Sequence, residues 1–92
     1  MKRDYNDPLY KKWRLQIYQR DNFKCQWLYC NCKKNLNAHH IRRWSDFPGL
    51  RYHLDNGITL CKRHHNLIKE KEDEYSYSLL KIVLQKKDIK LN

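Results

Sequence analysis

The histidines and cysteines are the residues of this chain whose types and spacing support metal and hydrolytic chemistry. Four of the five histidines form two adjacent pairs, His39-His40 and His64-His65, and there are four cysteines. Neutral imidazole accepts protons and binds metal ions near physiological pH, and cysteine thiolates are zinc ligands. A general base beside a divalent ion is the arrangement that hydrolyses phosphodiesters. The sequence therefore predicts a metal-containing site that is suited to hydrolysis.

The cysteines lie at spacings typical of a structural zinc site. Cys25 and Cys30 form a C-x4-C pair, and Cys61 and His64 form a C-x2-H pair. Two such pairs from distant segments can close a tetrahedral site. Cys32 could replace Cys30 in a C-x6-C arrangement, but the shorter loop from Cys25 to Cys30 leaves the two thiolates less conformational freedom. We therefore predict zinc on Cys25, Cys30, Cys61 and His64, with Cys32 as a partly buried free thiol.

The length of the chain bounds its organisation. With 92 residues, one domain over residues 1–92 is expected. The hydrophobic core of so small a domain often needs a disulfide or a bound metal ion to stabilise it. The sequence has no signal-like apolar run and no segment long enough to cross a bilayer. This predicts a cytoplasmic protein, in which cysteine clusters bind metal more often than they form disulfides.

The charge of the chain favours a polyanionic partner. Lys and Arg number 20 against 10 Asp and Glu, a formal net charge of +10. Nucleic acid is the expected partner, through phosphate contacts that release counterions. The alternative is a soluble basic protein without such a partner, and charge alone does not separate the two. A membrane-surface role is disfavoured because no basic helix with an apolar face is evident.

Local geometry separates the neighbouring histidines. On a helix, successive residues point about 100° apart, so His64 can face the zinc while His65 faces another pocket. On a strand, His39 and His40 would alternate faces. If both serve one site, the strand must end or twist there.

The first element that positions these residues is a helix over about residues 8–20. Asp7 is an N-cap candidate and is followed by proline. Leu9, Trp13 and Ile17 recur every fourth residue, which predicts the buried stripe.

The remaining elements are shorter. Gly57 is expected to supply a positive φ in the turn at residues 55–57, and Asp73 is expected to cap the last helix. The other predictions are a loop at 27–36, strands at 38–44 and 58–60, and helices at 62–71 and about 73–87.

The order Cys, Cys, His-His, Asn-Gly, Cys-x-x-His, His resembles HNH homing-type nucleases, in particular the small stand-alone kind found in bacteria and phages. The resemblance runs from about Trp13 to Asn66. The matching residues are Cys25, Cys30, His39-His40-Ile41, Trp44, Pro48, Leu50-Arg51, Asn56-Gly57-Ile58-Thr59-Leu60-Cys61 and His65-Asn66.

The resemblance implies a small α+β fold with a ββα-metal core over about residues 13–70, a zinc knuckle and flanking helices. It implies a metal-dependent DNA endonuclease of the bacterial or phage-infected cytoplasm. By position, His39 and His65 would bind a catalytic divalent ion (Mg²⁺, Mn²⁺ or Ni²⁺). His40 would be the general base, and Asn56 would orient that base or brace the loop.

Two features depart from the family pattern. The family usually has cysteine where this chain has His64, which bears on zinc affinity, and Cys32 is an additional thiol.

Basic residues that flank the motif become candidates for DNA phosphate contacts, with solvated surface charge as the alternative. These residues are Arg42, Arg43, Arg51, Lys62 and Arg63.

No helix carries an evident set of base-reading side chains, so weak sequence preference on double-stranded DNA is expected. Trp44 and Phe47 are expected to pack rather than to contact DNA. Two rival functions remain. One is a non-catalytic zinc module that binds nucleic acid, which would have no use for His39, His40 and Asn56 together. The other is a structural component of a larger phage or defence complex.

Overall fold

In the part of the chain that the structure describes, three helices and one two-stranded sheet make up the fold. The computed structural model describes residues 6–43 and 47–91, with side chains described up to residue 86, so Trp44 lies outside the described residues. The loop between the strands contains two 3-10 turns, Pro48–Leu50 and Leu54–Asn56. The helices are α1 (Pro8–Arg20), α2 (Lys62–Ile68) and α3 (Glu72–Leu91), and the strands are β1 (Leu36–His40) and β2 (Gly57–Cys61).

Helix α1 begins as its sequence predicts. The Asp7 carboxylate accepts a hydrogen bond from the Leu9 backbone N–H at 2.9 Å, and Pro8 occupies the first helical position. The buried stripe is Tyr10, Trp13 and Ile17, whereas Leu9 is 59% exposed. Placing Leu9 on that stripe was wrong, because the aromatic ring one position later covers the sheet instead.

Strands β1 and β2 pair antiparallel, with His39 opposite Ile58 and His40 opposite Gly57. The predicted strand at 38–44 was wrong, since β1 begins at Leu36 and ends at His40. The cause is the Asn56 side chain, which accepts from the Arg42 N–H at 2.8 Å and donates to the Arg42 carbonyl at 3.2 Å. The Asn56 amide makes the hydrogen bonds that the backbone of a neighbouring strand would otherwise make to Arg42, so the β-sheet pairing ends before that residue.

Gly57 does not adopt the expected positive φ. Its φ is −126°, and it is the first residue of β2. A Cβ there would lie 2.5 Å from Cζ2 of Trp13 and 2.6 Å from Cδ1 of Ile17. Glycine is required because α1 lies directly on the strand, rather than because of backbone conformation.

The boundary between α2 and α3 also differs from expectation. Helix α2 ends at Ile68 instead of residue 71, and Glu70 has a φ of +67°, which reverses the chain. Asp73 does not cap α3 but lies in its first turn, because the helix begins at Glu72. The helix continues to Leu91, beyond the predicted end at residue 87.

The hairpin separates two buried groups of side chains. One lies under α1 and consists of Tyr10, Trp13 and Ile17. The other packs β2 against α2 and α3, and includes Ile58, Leu60, Ile68, Leu79 and Val83.

A buried carboxylate connects three elements. Asp21 is 1% exposed, pairs with Arg20 at 2.8 Å and Lys86 at 3.4 Å, and accepts from the Thr59 N–H at 2.9 Å. The end of α1, β2 and α3 are therefore joined at one charged group. Among the described residues, no helix has both the length and the apolar character needed to cross a membrane.

Candidate metal and catalytic site

Four side chains bring their ligand atoms together at one end of the hairpin. The ligand atoms of Cys25, Cys30, Cys61 and His64 all lie within 4.8 Å of one another. The Sγ atoms of Cys30 and Cys61 are 3.9 Å apart. His64 Nδ1 lies 3.6 Å from Cys25 Sγ and 3.3 Å from Cys61 Sγ. Tetrahedral zinc with its usual bond lengths requires edges of about 3.8 Å for S–S and about 3.5 Å for S–N. The four residues can therefore hold a zinc ion.

The geometry distinguishes Cys30 from Cys32. The Cys30 thiol belongs to the cluster, whereas the Cys32 thiol donates to the Lys34 carbonyl at 3.7 Å. The Cys32 carbonyl accepts from the Cys25 N–H at 2.7 Å. The backbone of Cys32 thus closes the knuckle, while its thiol lies outside the four-residue group.

Burial sets the protonation of the cluster without metal. It raises the pKa of Cys25 to about 12 and, with help from the Arg63 charge, lowers the pKa of His64. Burial acts to raise the pKa of Cys61 too, but hydrogen bonds from the His64 backbone and the Cys25 thiol lower it overall. His64 is thus a neutral ligand at pH 7, and a metal must displace a proton from Cys25.

The second histidine of α2 points elsewhere. The ring of His65 lies 5.5 Å from that of His39, centroid to centroid, at an interplanar angle of 68°. Two imidazoles bound at about 2 Å to a shared ion place their centroids roughly 5–6 Å apart. The spacing of the His39 and His65 rings is compatible with binding to a shared ion.

An open cleft of about 340 Å³ runs beside His65. Polar side chains of both β1 and α2 contribute to it, among them Asn37, Lys62 and Asn66. A ligand with phosphate groups could reach the His65 side of the histidine pair through this opening.

His40 is held on the opposite face of β1, against α1. Its ring stacks on the Trp13 indole, with centroids 4.0 Å apart and planes inclined by 9°. Its Nε2 donates a hydrogen bond to the Arg51 carbonyl at 2.8 Å. With the proton on Nε2, the lone pair of the neutral ring is on Nδ1. Both histidines belong to the β1 ladder, which ends at His40, so their side chains lie on opposite faces of the strand.

Asn56 braces the loop between the strands. It is 4% exposed, and besides its two bonds to Arg42 its amide donates to the Leu50 carbonyl at 3.2 Å. Leu50 directly precedes Arg51, whose carbonyl binds His40. Of the two roles the resemblance implies, these contacts favour bracing, with any effect on His40 passing through the loop.

The candidate DNA-contacting residues are spread over the surface. Lys62 lines the cleft beside His65. Arg43 instead pairs with Asp73 at 3.1 Å, an exposed ion pair, and the Arg42 guanidinium lies 5.8 Å from the Phe47 ring centroid. The other two candidates are Arg51, which is partly buried, and Arg63, which is exposed.

Sequence reasoning missed the two tryptophans that stack on the histidines. Trp13 covers His40, and Trp27 stacks on His64 with centroids 4.7 Å apart. A signal existed for Trp27, because a residue inside the C-x4-C knuckle cannot lie far from its ligands. Trp13 was recognised as a buried residue, but nothing in the sequence indicates that a histidine lies beneath it.

The chain matches a model of a known protein family. A family model described as HNH endonuclease matches residues 25–71, about half of the 92-residue chain. The matched segment contains the four-residue cluster, both strands and α2. No curated protein and no solved structure matches the chain significantly.

Proposed function

The chain belongs to the HNH endonuclease family, and we propose that it is a metal-dependent DNA endonuclease that nicks or cuts by phosphodiester hydrolysis. The observation that carries this proposal is the pairing of His39 and His65 across β1 and α2, separate from the Cys/His cluster. A purely structural zinc module needs the cluster but has no use for a pair of facing imidazoles outside it.

Strands β1 and β2 and helix α2 would form a ββα-metal core. Its divalent ion (Mg²⁺, Mn²⁺ or Ni²⁺) would be held by His39 and His65, and the structural zinc by the Cys/His cluster. When bound, the divalent ion would neutralise charge on the scissile phosphate and the leaving group.

His40 is the proposed general base. It would remove a proton from the attacking water at Nδ1, while the hydrogen bond from Nε2 to the Arg51 carbonyl holds the tautomer that leaves Nδ1 basic. Asn56 supports this arrangement by fixing the loop that carries the carbonyl.

The proposed substrate is double-stranded DNA, recognised mainly through its phosphates. The net charge of +10 supports this, and Lys62 lies beside the proposed ion site. The other proposed phosphate contacts are Arg42, Arg43, Arg51 and Arg63. Phosphate contacts carry no direct sequence information, so this domain should cleave with weak sequence preference.

The test is incubation of supercoiled plasmid with zinc-loaded protein, with and without Mg²⁺, Mn²⁺ or Ni²⁺. Ion-dependent nicked or linear product is expected. His39→Ala and His65→Ala should lose cleavage. His53→Ala removes an imidazole outside the proposed site and should retain cleavage. If folded, zinc-loaded protein binds plasmid but cleaves with none of the ions, the non-catalytic module is the better description.

Ion binding gives a second readout. In calorimetric titrations with Mn²⁺, His65→Ala should bind at least tenfold more weakly than wild type, because one of two imidazole ligands is missing. Its zinc content should stay at the wild-type level. Equal Mn²⁺ affinity in the two proteins would mean that His65 is not a ligand of the divalent ion.

A further inference from the structure

Helix α1 lies before the segment that the family model matches, yet it forms one wall around His40. We infer that Trp13 is a positioning residue that fixes the ring of His40 in its reactive orientation. This inference rests on the proposed role of His40 as general base. It extends the site into a helix outside the matched segment.

The stacking contact restricts the plane of the His40 ring. At 4.0 Å and 9°, the imidazole and the indole touch across their faces. Trp13 is 1% exposed and His40 5% exposed, so neither ring can swing out without opening the core. The Trp13 indole is itself anchored, because its Nε1 donates to the His53 carbonyl at 3.1 Å.

The hydrogen bond to Arg51 restricts a different motion. It fixes the direction of Nε2, but by itself it leaves the imidazole free to turn about the N–H···O axis. The stack on Trp13 prevents that turn. The two contacts together restrict where Nδ1 points, so removing either one should give the ring more freedom.

Gly57 makes this packing available. It pairs with His40 across the hairpin, and a Cβ there would come within 2.5 Å of the Trp13 ring. The absence of a side chain opposite His40 is what lets the indole lie over the end of the hairpin.

Known magnitudes set the expected effect of losing the stack. A general base contributes about 10²–10⁴-fold in rate, and a misplacement of about 1 Å can cost about 10²-fold. Removing the flat ring at position 13 should therefore slow the cleavage step by about tenfold to a hundredfold, with little effect on DNA affinity.

The experiment compares Trp13→Leu, Trp13→Phe and the control Ile17→Ala, all zinc-loaded. Ile17 is a fully buried residue of α1 that packs over Gly57. Single-turnover cleavage rates at saturating Mn²⁺ and DNA are measured beside DNA affinity and unfolding free energy. If Trp13→Leu does not fold, Trp13→Met takes its place, since methionine fills the space without a planar ring.

Trp13→Leu should cleave about tenfold to a hundredfold more slowly, with DNA affinity within about twofold of wild type. Trp13→Phe, which keeps a flat face, should recover to within about threefold. Ile17→Ala should keep the wild-type rate under conditions in which it is folded. In a His40→Ala background, Trp13→Leu should cause no additional loss, because it acts through the missing ring.

Three results would overturn the inference. One is a Trp13→Leu rate within threefold of wild type. Another is an equal loss in Ile17→Ala at equal stability. The third is an additional loss in the double variant beyond that of His40→Ala.

A spectroscopic readout separates this inference from the proposed activity. Three-bond couplings and NOEs of the His40 ring protons, in zinc-loaded protein without a second ion, report the orientation of the ring about χ2. Wild type should hold one orientation and Trp13→Leu should show several, while the hydrogen bond to the Arg51 carbonyl keeps the Nε2–H tautomer in both. That result in a protein without nuclease activity would retain the positioning and reject the activity. A single, unchanged orientation in Trp13→Leu would reject the positioning whatever the activity.

Discussion

At the scale of single residues, two adjacent histidines of α2 lie in different surroundings. His64 lies against the thiols of Cys25 and Cys61, and His65 faces the ring of His39. The cause is the rotation of about 100° between neighbouring helical residues. A one-residue step therefore separates a candidate structural metal site from a candidate catalytic one.

The two cysteines of the knuckle give a prediction at this scale. Cys30→Ser should reduce zinc content well below one per chain, because its thiol belongs to the four-residue cluster. Cys32→Ser is the matched control and should leave zinc content unchanged, since its thiol contacts the Lys34 carbonyl. Elemental analysis of protein purified without added metal makes the comparison. Zinc loss in Cys32→Ser but not in Cys30→Ser would mean that Cys32, and not Cys30, is the zinc ligand.

At the scale of elements, the two-stranded sheet presents a histidine on each of its faces. Its β1 strand presents His39 toward α2 and His40 toward α1. Helix α1 is held close by Trp13 and Ile17, which lie over Gly57. The position of His40 therefore depends on how closely the Trp13 ring approaches the strand.

Gly57→Ala tests this approach. The new methyl group would lie 2.5 Å from the Trp13 ring, and overpacking of this kind costs about 1–3 kcal/mol. Gly49→Ala is the matched control, because a Cβ at Gly49 meets nothing within 4 Å. Urea unfolding should show lower stability for Gly57→Ala and little change for Gly49→Ala. Equal stability of the two variants would mean that α1 lies farther from the strand.

The sequence predicted the parts of this arrangement that local chemistry determines. Asp7 and the proline after it marked the start of α1, and the spacing of the cysteine pairs marked the cluster. The end of β1 was mispredicted because it depends on Asn56, a residue distant in the chain whose amide replaces the ladder. The need for Gly57 was assigned to backbone conformation, whereas it arises from packing against Trp13, a tertiary contact without a local signal.

At the scale of the whole molecule, long-range groups hold a small core together. Asp21 joins α1, β2 and α3 through buried polar contacts. The Cys/His cluster joins the loop after α1 to the beginning of α2. In so short a chain, a bound zinc ion would contribute directly to the stability of the fold.

Zinc binding should release protons and strengthen as pH rises. The raised pKa of Cys25, about 12 without metal, means that this thiol loses a proton when zinc binds at pH 7. Affinity should therefore fall by about tenfold or more for each pH unit of acidification. Without zinc the raised pKa acts in the opposite direction: the stability that the protonated Cys25 thiol contributes is full below pH 9.0, its ordinary pKa, and is lost as pH rises toward about 12.

Calorimetry in buffers of different ionisation enthalpy would count the released protons. At least one per zinc is expected at pH 7, and unfolding measured beside it should show zinc-loaded protein losing stability on acidification. Zinc affinity that does not change with pH would contradict the protonated state of Cys25.

DNA affinity should depend steeply on salt and weakly on sequence. The net charge of +10 implies counterion release, with log affinity falling linearly against log salt. Lys62→Gln should reduce that slope by about one. Lys81→Gln, on α3 beside Tyr77, is the control of equal charge and should have a smaller effect. A flat salt dependence, or a strong preference between two unrelated duplexes, would contradict phosphate-dominated binding.

The most direct test of the central claim is the single-turnover cleavage rate of His40→Ala against wild type, at saturating divalent ion and DNA. Removing a general base should lower the rate by about 10²–10⁴-fold, with zinc content and DNA affinity nearly unchanged because the base acts in the transition state. A loss of less than tenfold would contradict the assignment of His40 and, with it, the proposed mechanism.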